Sequence, residues 1–170
     1  MKDYVIYECP YFTMGMELEG GFVTGLDLEA DLFRPVTGVR SGNEEAYGAA
    51  KTYLDAFFAG ETVSNESVPV KFSGTEFQIS VWEEIAKIPY GETLTYGEIA
   101  RRVMQKTGVP RMSAQAVGGA TGRNPVPVII PCHRVMGAGG KFTGFTGGMD
   151  KKITLLALEG HESENGKLVK

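Results

Sequence analysis

Between residues 95 and 122 the chain reads TYGEIARRVMQKTGVPRMSAQAVGGATG, and this stretch restricts the fold more than any other. Thr95 followed three residues later by Glu98 is a capping box, and Ile99, Ala100 and Val103 supply one apolar stripe. Gly108 and Pro110 then end the helix. Ser113 can cap a second one that carries only small side chains through residue 122. Helix, tight Gly/Pro connection and second helix form a helix-turn-helix pattern. Small side chains let a helix backbone lie close to another surface. That surface is either a neighbouring element of the same protein or a groove, and the basic residues on either side favour a groove.

The flanking segments extend this pattern. TEFQISVWEEIAKI (75–88) has a capping-box pair, Thr75 and Gln78, with Phe77, Val81, Trp82, Ile85 and Ile88 along one face. Residues 126–130, VPVII, read as a strand. Residues 137–148 are a glycine-rich loop, and DKKITLLALEGH is a last amphipathic helix capped by Asp150. Upstream, residues 3–8 and 11–18 read as strands broken by Pro10, and 20–30 as their hairpin partner. Residues 43–59 read as a helix with Asn43 as N-cap and Gly60 as its stop. A small α+β unit over 1–70 is therefore expected, then a linker to about residue 74 and a second domain over 75–170. At 170 residues the chain is long enough to bury a core in either.

Charge is unevenly placed. The net charge is −4, yet residues 87–141 hold Lys87, Arg101, Arg102, Lys106, Arg111, Arg123, Arg134 and Lys141 against only Glu92 and Glu98. A basic segment inside an acidic chain is either a polyanion-facing surface or an exposed basic face with no partner. No apolar run approaches a membrane span, and the N-terminus has no long apolar signal region. With two cysteines and no disulfide framework, a reduced, cytoplasmic setting and no membrane partner are expected. No CxxC or HxxxH spacing exists, so no metal site is expected.

Chemistry concentrates in VIIPCHRVM (128–136), where one of two cysteines stands beside one of two histidines. A cysteine in an apolar run is ordinarily packing. Here Pro131 and the following loop set Cys132 at an element end, with His133 and Arg134 as basic neighbours. A nucleophilic cysteine acts as thiolate, so its pKa is expected below the free value of about 8.5. Adjacent side chains diverge, so the pair works best as a relay Cys132–water–His133–Glu159.

The blocks GTEFQISVWEEIAKIPYGETLTYGEIA, AVGGATGRNPVPVIIPCHRV and TGFTGG…LLALEG resemble the methylated-DNA–protein-cysteine methyltransferase family, the O6-alkylguanine-DNA alkyltransferases, over about residues 74–160. The resemblance implies an N-terminal ribonuclease H-like α+β domain and a winged helix-turn-helix-like C-terminal domain. It implies that Cys132 accepts an alkyl group from O6-alkylguanine, and from O4-alkylthymine in some cases. His133 and Glu159 complete the relay, and Asn124 braces the active-site loop. It also implies a monomer bound to double-stranded DNA through the minor groove and no cofactor. DNA contact falls to Tyr96, Gln115, Arg111, Ser113, Arg123 and Arg134, and the base pocket to Phe145, Gly144 and Thr146. Three features depart from the common pattern: Gln115 where arginine is usual, Phe145 where tyrosine is usual, and the longer MQKTGVPRM connection. Alternative readings are a non-catalytic binder of alkylated DNA of the alkyltransferase-like type, a cysteine hydrolase, and a winged-helix regulator with an inert cysteine.

Overall fold

Gly20 and Gly21 adopt φ of +60° and +85° and join strands β2 (Thr13–Glu19) and β3 (Phe22–Asp27) of a computed structural model that describes every residue except Met1, Ser41 and Thr146. A two-residue hairpin needs two positive φ angles, which glycine adopts at no steric cost. β1 (Lys2–Glu8) pairs antiparallel with β2, Lys2 opposite Glu19 and Glu8 opposite Thr13, giving the sheet order β1-β2-β3. Met14, Met16 and Leu18 alternate along β2 and are fully buried. Helix α1 (Glu44–Phe58) turns Ala46, Ala50, Tyr53, Leu54 and Phe57 inward at helical spacing. It closes in a Schellman motif: Glu61 N–H bonds Ala56 O, Gly60 N–H bonds Phe57 O, and Gly60 sits at φ +80°.

Asn43 holds the N-cap position of α1, but its side chain caps nothing. Its amide donates to Asp3 Oδ2 at 2.9 Å, and its carbonyl accepts from Gly21 N–H at 2.9 Å. The oxygen that would cap the helix is taken by Gly21 N–H, while the amide nitrogen is held by a buried carboxylate. Asp3 is inaccessible and is also held by the Arg40 backbone N–H, at 2.8 Å, and by the Arg40 guanidinium. The bonds from Asn43 and Arg40 outweigh burial and keep this carboxyl well below the usual range. A carboxyl depressed on folding stabilises fully above its unfolded value of 3.8 and loses that contribution as pH falls below it. Asp3→Asn is therefore expected to lower the melting temperature at neutral pH and to flatten its decline in acid, which calorimetry across pH will register.

The first compact unit contains residues up to Ser73 together with Pro125–Ile129. Residues 61–73 lack regular structure but join the unit. Val23 N–H bonds Pro69 O at 2.8 Å, and Val68 is buried. The strand expected at 126–130 does not form; the segment is a chain of turns. Pro125 and Pro127 have no N–H to give a ladder. Ile129 N–H instead bonds Pro127 O at 2.9 Å around Val128, which is held at φ +72°. Positive φ is an outlier for a β-branched residue. The surroundings hold it there: Val128 is fully buried, Tyr53 Oη donates to Val128 O, and Asn65 Nδ2 donates to Ile129 O at 2.8 Å.

The second unit contains Gly74–Asn124 and Ile130–Lys170. Helices α2 (Glu76–Ala86) and α3 (Tyr96–Thr107) both carry complete capping boxes, Thr75 with Gln78 and Thr95 with Glu98. α3 stops at Gly108, φ +75°, and α4 (Ala114–Thr121) begins with Ser113 Oγ accepting Ala116 N–H at 3.0 Å. Trp82 of α2 is buried and donates its indole N–H to Ala120 O at 2.8 Å, which fastens α4 to α2. Two-residue strands β4 (Leu94–Thr95) and β5 (Val135–Met136) pair in parallel. Helix α5 (Met149–Leu158) starts after Gly148 with no side-chain cap. Asp150 lies inside its first turn, not at the cap position expected for it. A last hairpin, β6 (Ser163–Glu164) and β7 (Lys167–Leu168), turns on Asn165-Gly166, both at positive φ. That dipeptide is a strong hairpin signal that the sequence reading passed over. The class is mixed α+β: among the described residues, five α-helices and three small sheets. None of these helices is long and apolar enough to cross a membrane, and no His/Cys/Asp/Glu cluster among the described residues could hold a metal.

Candidate active site

The β4–β5 ladder assembles the site. Leu94 pairs with Val135 and Thr95 with Met136, so the start of α3 lies beside the turn that precedes β5. Tyr96 follows Thr95 directly, and Cys132–Arg134 form a single 3-10 turn directly before Val135. Pro131 sets that turn: Cys132 N–H bonds Ile130 O at 2.8 Å and Arg134 N–H bonds Pro131 O at 2.9 Å. Asn124 is buried and donates from Nδ2 to Ile130 O at 2.8 Å, two residues before the cysteine.

Cys132 is 3% exposed. Burial pushes its thiol up to about 11, against the opposing pull of the Asn124 amide, the Lys152 charge and the nearby backbone N–H groups. This is opposite to the low pKa expected from sequence. The basic neighbours are real, but burial dominates, and the Arg134 charge is spent on a carboxylate.

That carboxylate is Glu159, whose side chain is fully buried. It receives His133 Nε2 at 2.5 Å, Arg134 Nε at 2.9 Å and Gly91 N–H at 2.8 Å. Burial works against its charge, but the His133, Arg134 and Gly91 contacts outweigh it and hold the carboxyl below its ordinary value. Its place follows from the end of α5. Gly160 at φ +87° closes a Schellman motif, with Gly160 N–H on Ala157 O and His161 N–H on Leu156 O. Burial lowers the pKa of His133, so the ring is neutral beside an ionised carboxylate. A carboxylate only accepts, so His133 donates from Nε2, which leaves the Nδ1 lone pair able to take a proton.

Arg134 requires a correction. It was expected to contact DNA, yet it is 2% exposed. Its guanidinium is committed to Glu159, to Ile88 O at 2.6 Å and to the Tyr90 ring at 5.7 Å. A charge buried this deeply is paired inside the protein.

Lys152 escaped the sequence reading because it stands in a charged first turn. It is 1% exposed, and its Nζ donates to Val135 O at 2.9 Å. Burial pushes it down to about 8, while the nearby Cys132 works the other way. Lys152 and Glu159 are seven residues apart on α5, hence on one face. A lysine replacing an apolar residue in an inward stripe was the available signal.

A cavity of about 930 Å³ lies over the same elements, lined by Tyr96, Arg101, Gln115, Gly118, Thr143 and Phe145 among others. Gly144 also lines it, whereas Thr146 lies outside the described residues. α4 buries Val117, Ala120 and Thr121 on one side, while Ala114, Gln115 and Gly119 are exposed. One face packs and the other is slim and open. Ser113, Arg111 and Arg123 are exposed as well. Arg101, in the cavity wall, was noted in the sequence only as part of the basic segment.

Residues 76–161 match the family model for the 6-O-methylguanine DNA methyltransferase DNA-binding domain. A methylated-DNA–protein-cysteine methyltransferase of Mycolicibacterium paratuberculosis is 39% identical over 163 residues, covering 96% of this chain and 95% of that protein. One from Methanosarcina acetivorans is 52% identical over 118 residues, covering 69% and 72%. The crystal structure of Mycobacterium tuberculosis OGT in complex with DNA superposes with a TM-score of 0.75 at 39% identity, covering 92% of each chain.

Proposed function

We propose, from the premise that this chain belongs to the methylated-DNA–protein-cysteine methyltransferase family, that it repairs DNA by moving an alkyl group from O6-alkylguanine to Cys132. The observation that carries this reading is Cys132 buried in a proline-set turn beside the His133–Glu159 pair and close to Tyr96, which lines a cavity large enough for a base.

The substrate oxygen lies inside the duplex, so the nucleotide must turn out of the stack to reach a buried thiol. The slim outer face of α4 enters the minor groove, with Ser113 at its start and Gln115 filling the gap left by the base. Arg111 and Arg123 contact phosphate, Tyr96 stands at the mouth of the pocket, and Phe145 and Gly144 wall the base. This is a winged helix-turn-helix use of α3 and α4, with a ribonuclease H-like first unit, and the protein acts as a monomer.

The Cys132 proton passes through one water to His133 Nδ1, and Glu159 stabilises the imidazolium that forms. Sulfur attacks the alkyl carbon, the S–C bond forms, the C–O6 bond breaks and its electron pair leaves with the guanine. Atoms and electrons balance without a cofactor. The product is a thioether, which offers water no carbonyl to attack, so each molecule acts once. A thiol near 11 stays protonated at rest, which protects a single-use residue from stray electrophiles.

The test is mass spectrometry after mixing with an O6-methylguanine duplex. A gain of one methyl per protein on the Cys132 peptide is expected. Tight binding with no gain would instead mark an alkylated-DNA binding protein.

Lys152 is proposed to favour the developing thiolate by its charge. Lys152→Met keeps the length and removes the charge. A thiol pKa raised by about one unit corresponds to about tenfold in rate. Transfer about tenfold slower is expected, with a small change in melting temperature, because relief of a buried charge is set against the loss of the donor to Val135 O. Single-turnover kinetics and calorimetry check both halves.

Gln115→Ala is expected to slow transfer from sub-saturating duplex while leaving reaction with free O6-benzylguanine near wild type, since only the duplex needs the gap filled. Equal slowing of both substrates would give Gln115 a role in the pocket instead.

A further inference from the structure

Strand β7 has a second neighbour besides β6, the loop that forms one wall of the cavity. Phe142 N–H donates to Gly166 O at 2.8 Å, and Lys141 pairs antiparallel with Lys167. The Gly140 backbone lies against Leu168, since a Cβ built on Gly140 would stand 3.4 Å from Leu168 Cβ. In front of β7 the loop doubles back on itself, with Gly137 N–H on Lys141 O at 2.8 Å. Gly137 and Ala138 on one arm and Thr143, Gly144 and Phe145 on the other line the cavity. Thr143 Oγ1 donates to Tyr96 Oη at 2.6 Å, and the Lys152 ammonium lies 5.8 Å from the Phe142 ring and 6.0 Å from the Phe145 ring. These side-chain contacts hold the front of the loop, and β7 holds its backbone from behind. No residue of β6 or β7 lines the cavity among the described residues.

We propose that the β6–β7 hairpin is a positioning element for the base pocket: β7 adds a strand to the loop and keeps its two arms where they grip a purine turned out of the duplex. The proposal rests on the alkyl-transfer reading above. Gly137, Gly139, Gly140 and Gly144 give the loop little stiffness of its own, and backbone pairing with β7 supplies it. The hairpin in turn depends on its turn. Strands of two residues each do not stand alone, and Asn165 and Gly166 sit at φ +53° and +73°, which residues tolerant of positive φ adopt. Cys132, His133 and Glu159 are fixed elsewhere, by the 3-10 turn before β5 and by the end of α5. The hairpin therefore governs how often the pocket is formed and leaves the reactivity of the thiol alone.

The experiment compares Gly166→Val, whose branched side chain opposes positive φ, with Gly166→Asn, which tolerates it. A third protein lacks residues 163–170 and so has no β7 at all. Each reacts with free O6-benzylguanine over a range of concentrations, and with methyl iodide, which needs no base pocket. Alkylation is read on the Cys132 peptide. If the formed pocket falls to a tenth of the population, the apparent affinity for the base falls about tenfold. Gly166→Val and the shortened protein are therefore expected to need about tenfold more base for half-maximal rate, with the maximal rate and the methyl iodide rate at wild type. Gly166→Asn should recover most of the lost affinity. An unchanged half-saturating concentration in the shortened protein would overturn the proposal. So would a fall in the methyl iodide rate to match, which belongs to a general disturbance of the domain. Wild-type protein that takes methyl from iodide but no alkyl group from either free base or O6-methylguanine duplex would overturn the alkyl-transfer reading itself.

Discussion

Cys132→Ser is expected to transfer no alkyl group while binding methylated duplex about as tightly as wild type. An oxygen nucleophile in this buried turn would have to lose a proton far less acidic than a thiol's, and His133 is a weak base there because burial lowers its pKa. DNA contacts fall to exposed residues of α4 and its flanks, which the substitution does not touch. Cys9 cannot take over. Its Sγ is engaged with Phe12, donating to the carbonyl at 3.2 Å and accepting the N–H at 3.4 Å, in the turn between β1 and β2. Peptide mapping after reaction, with duplex binding measured alongside, decides the matter. Methyl appearing on Cys9, or still appearing at position 132, would remove Cys132 from its role.

The second large effect is expected at Glu159. Its carboxylate is the common acceptor for His133, Arg134 and the Gly91 backbone. Glu159→Gln leaves one carbonyl oxygen for all of them and strips a buried guanidinium of its counter-charge. Breaking one partner of a buried pair costs about 3–5 kcal/mol, so chemical denaturation should show a loss of that order. Transfer should also slow by about 10²-fold or more, because the imidazolium formed during thiol deprotonation loses its support. His133→Ala separates the two effects. It is expected to slow transfer to a similar degree and to cost less stability, since Arg134 keeps its partner. An unchanged single-turnover rate in His133→Ala would end the relay as a mechanism.

Much of the molecule was legible in residues that act on their own neighbours. Capping boxes at Thr75 and Thr95, the stop at Gly60 and the α1 stripe are local physics, and each was found where the sequence placed it. The block around PCHRV likewise directed attention to Cys132, His133 and Asn124. Where the reading failed, long-range competition won. Asn43 gave its capping oxygen to Gly21, far back along the chain, and its amide nitrogen to Asp3. VPVII has the composition of a strand, but its prolines have no N–H to pair, and the chain curls around Val128 instead. Arg134 looked like a surface cation until Glu159, Ile88 and Tyr90 enclosed it, and Lys152 looked like an ordinary first-turn charge. Charge type is written in the sequence, but solvent exposure is a property of the packed fold. Desolvation is what lifts Cys132 to about 11 and drops Lys152 to about 8. The sequence by itself therefore determined which groups the chain carries and which helices and turns hold them. Only the tertiary structure decided which charges are buried and paired, because burial and pairing depend on elements far apart along the chain.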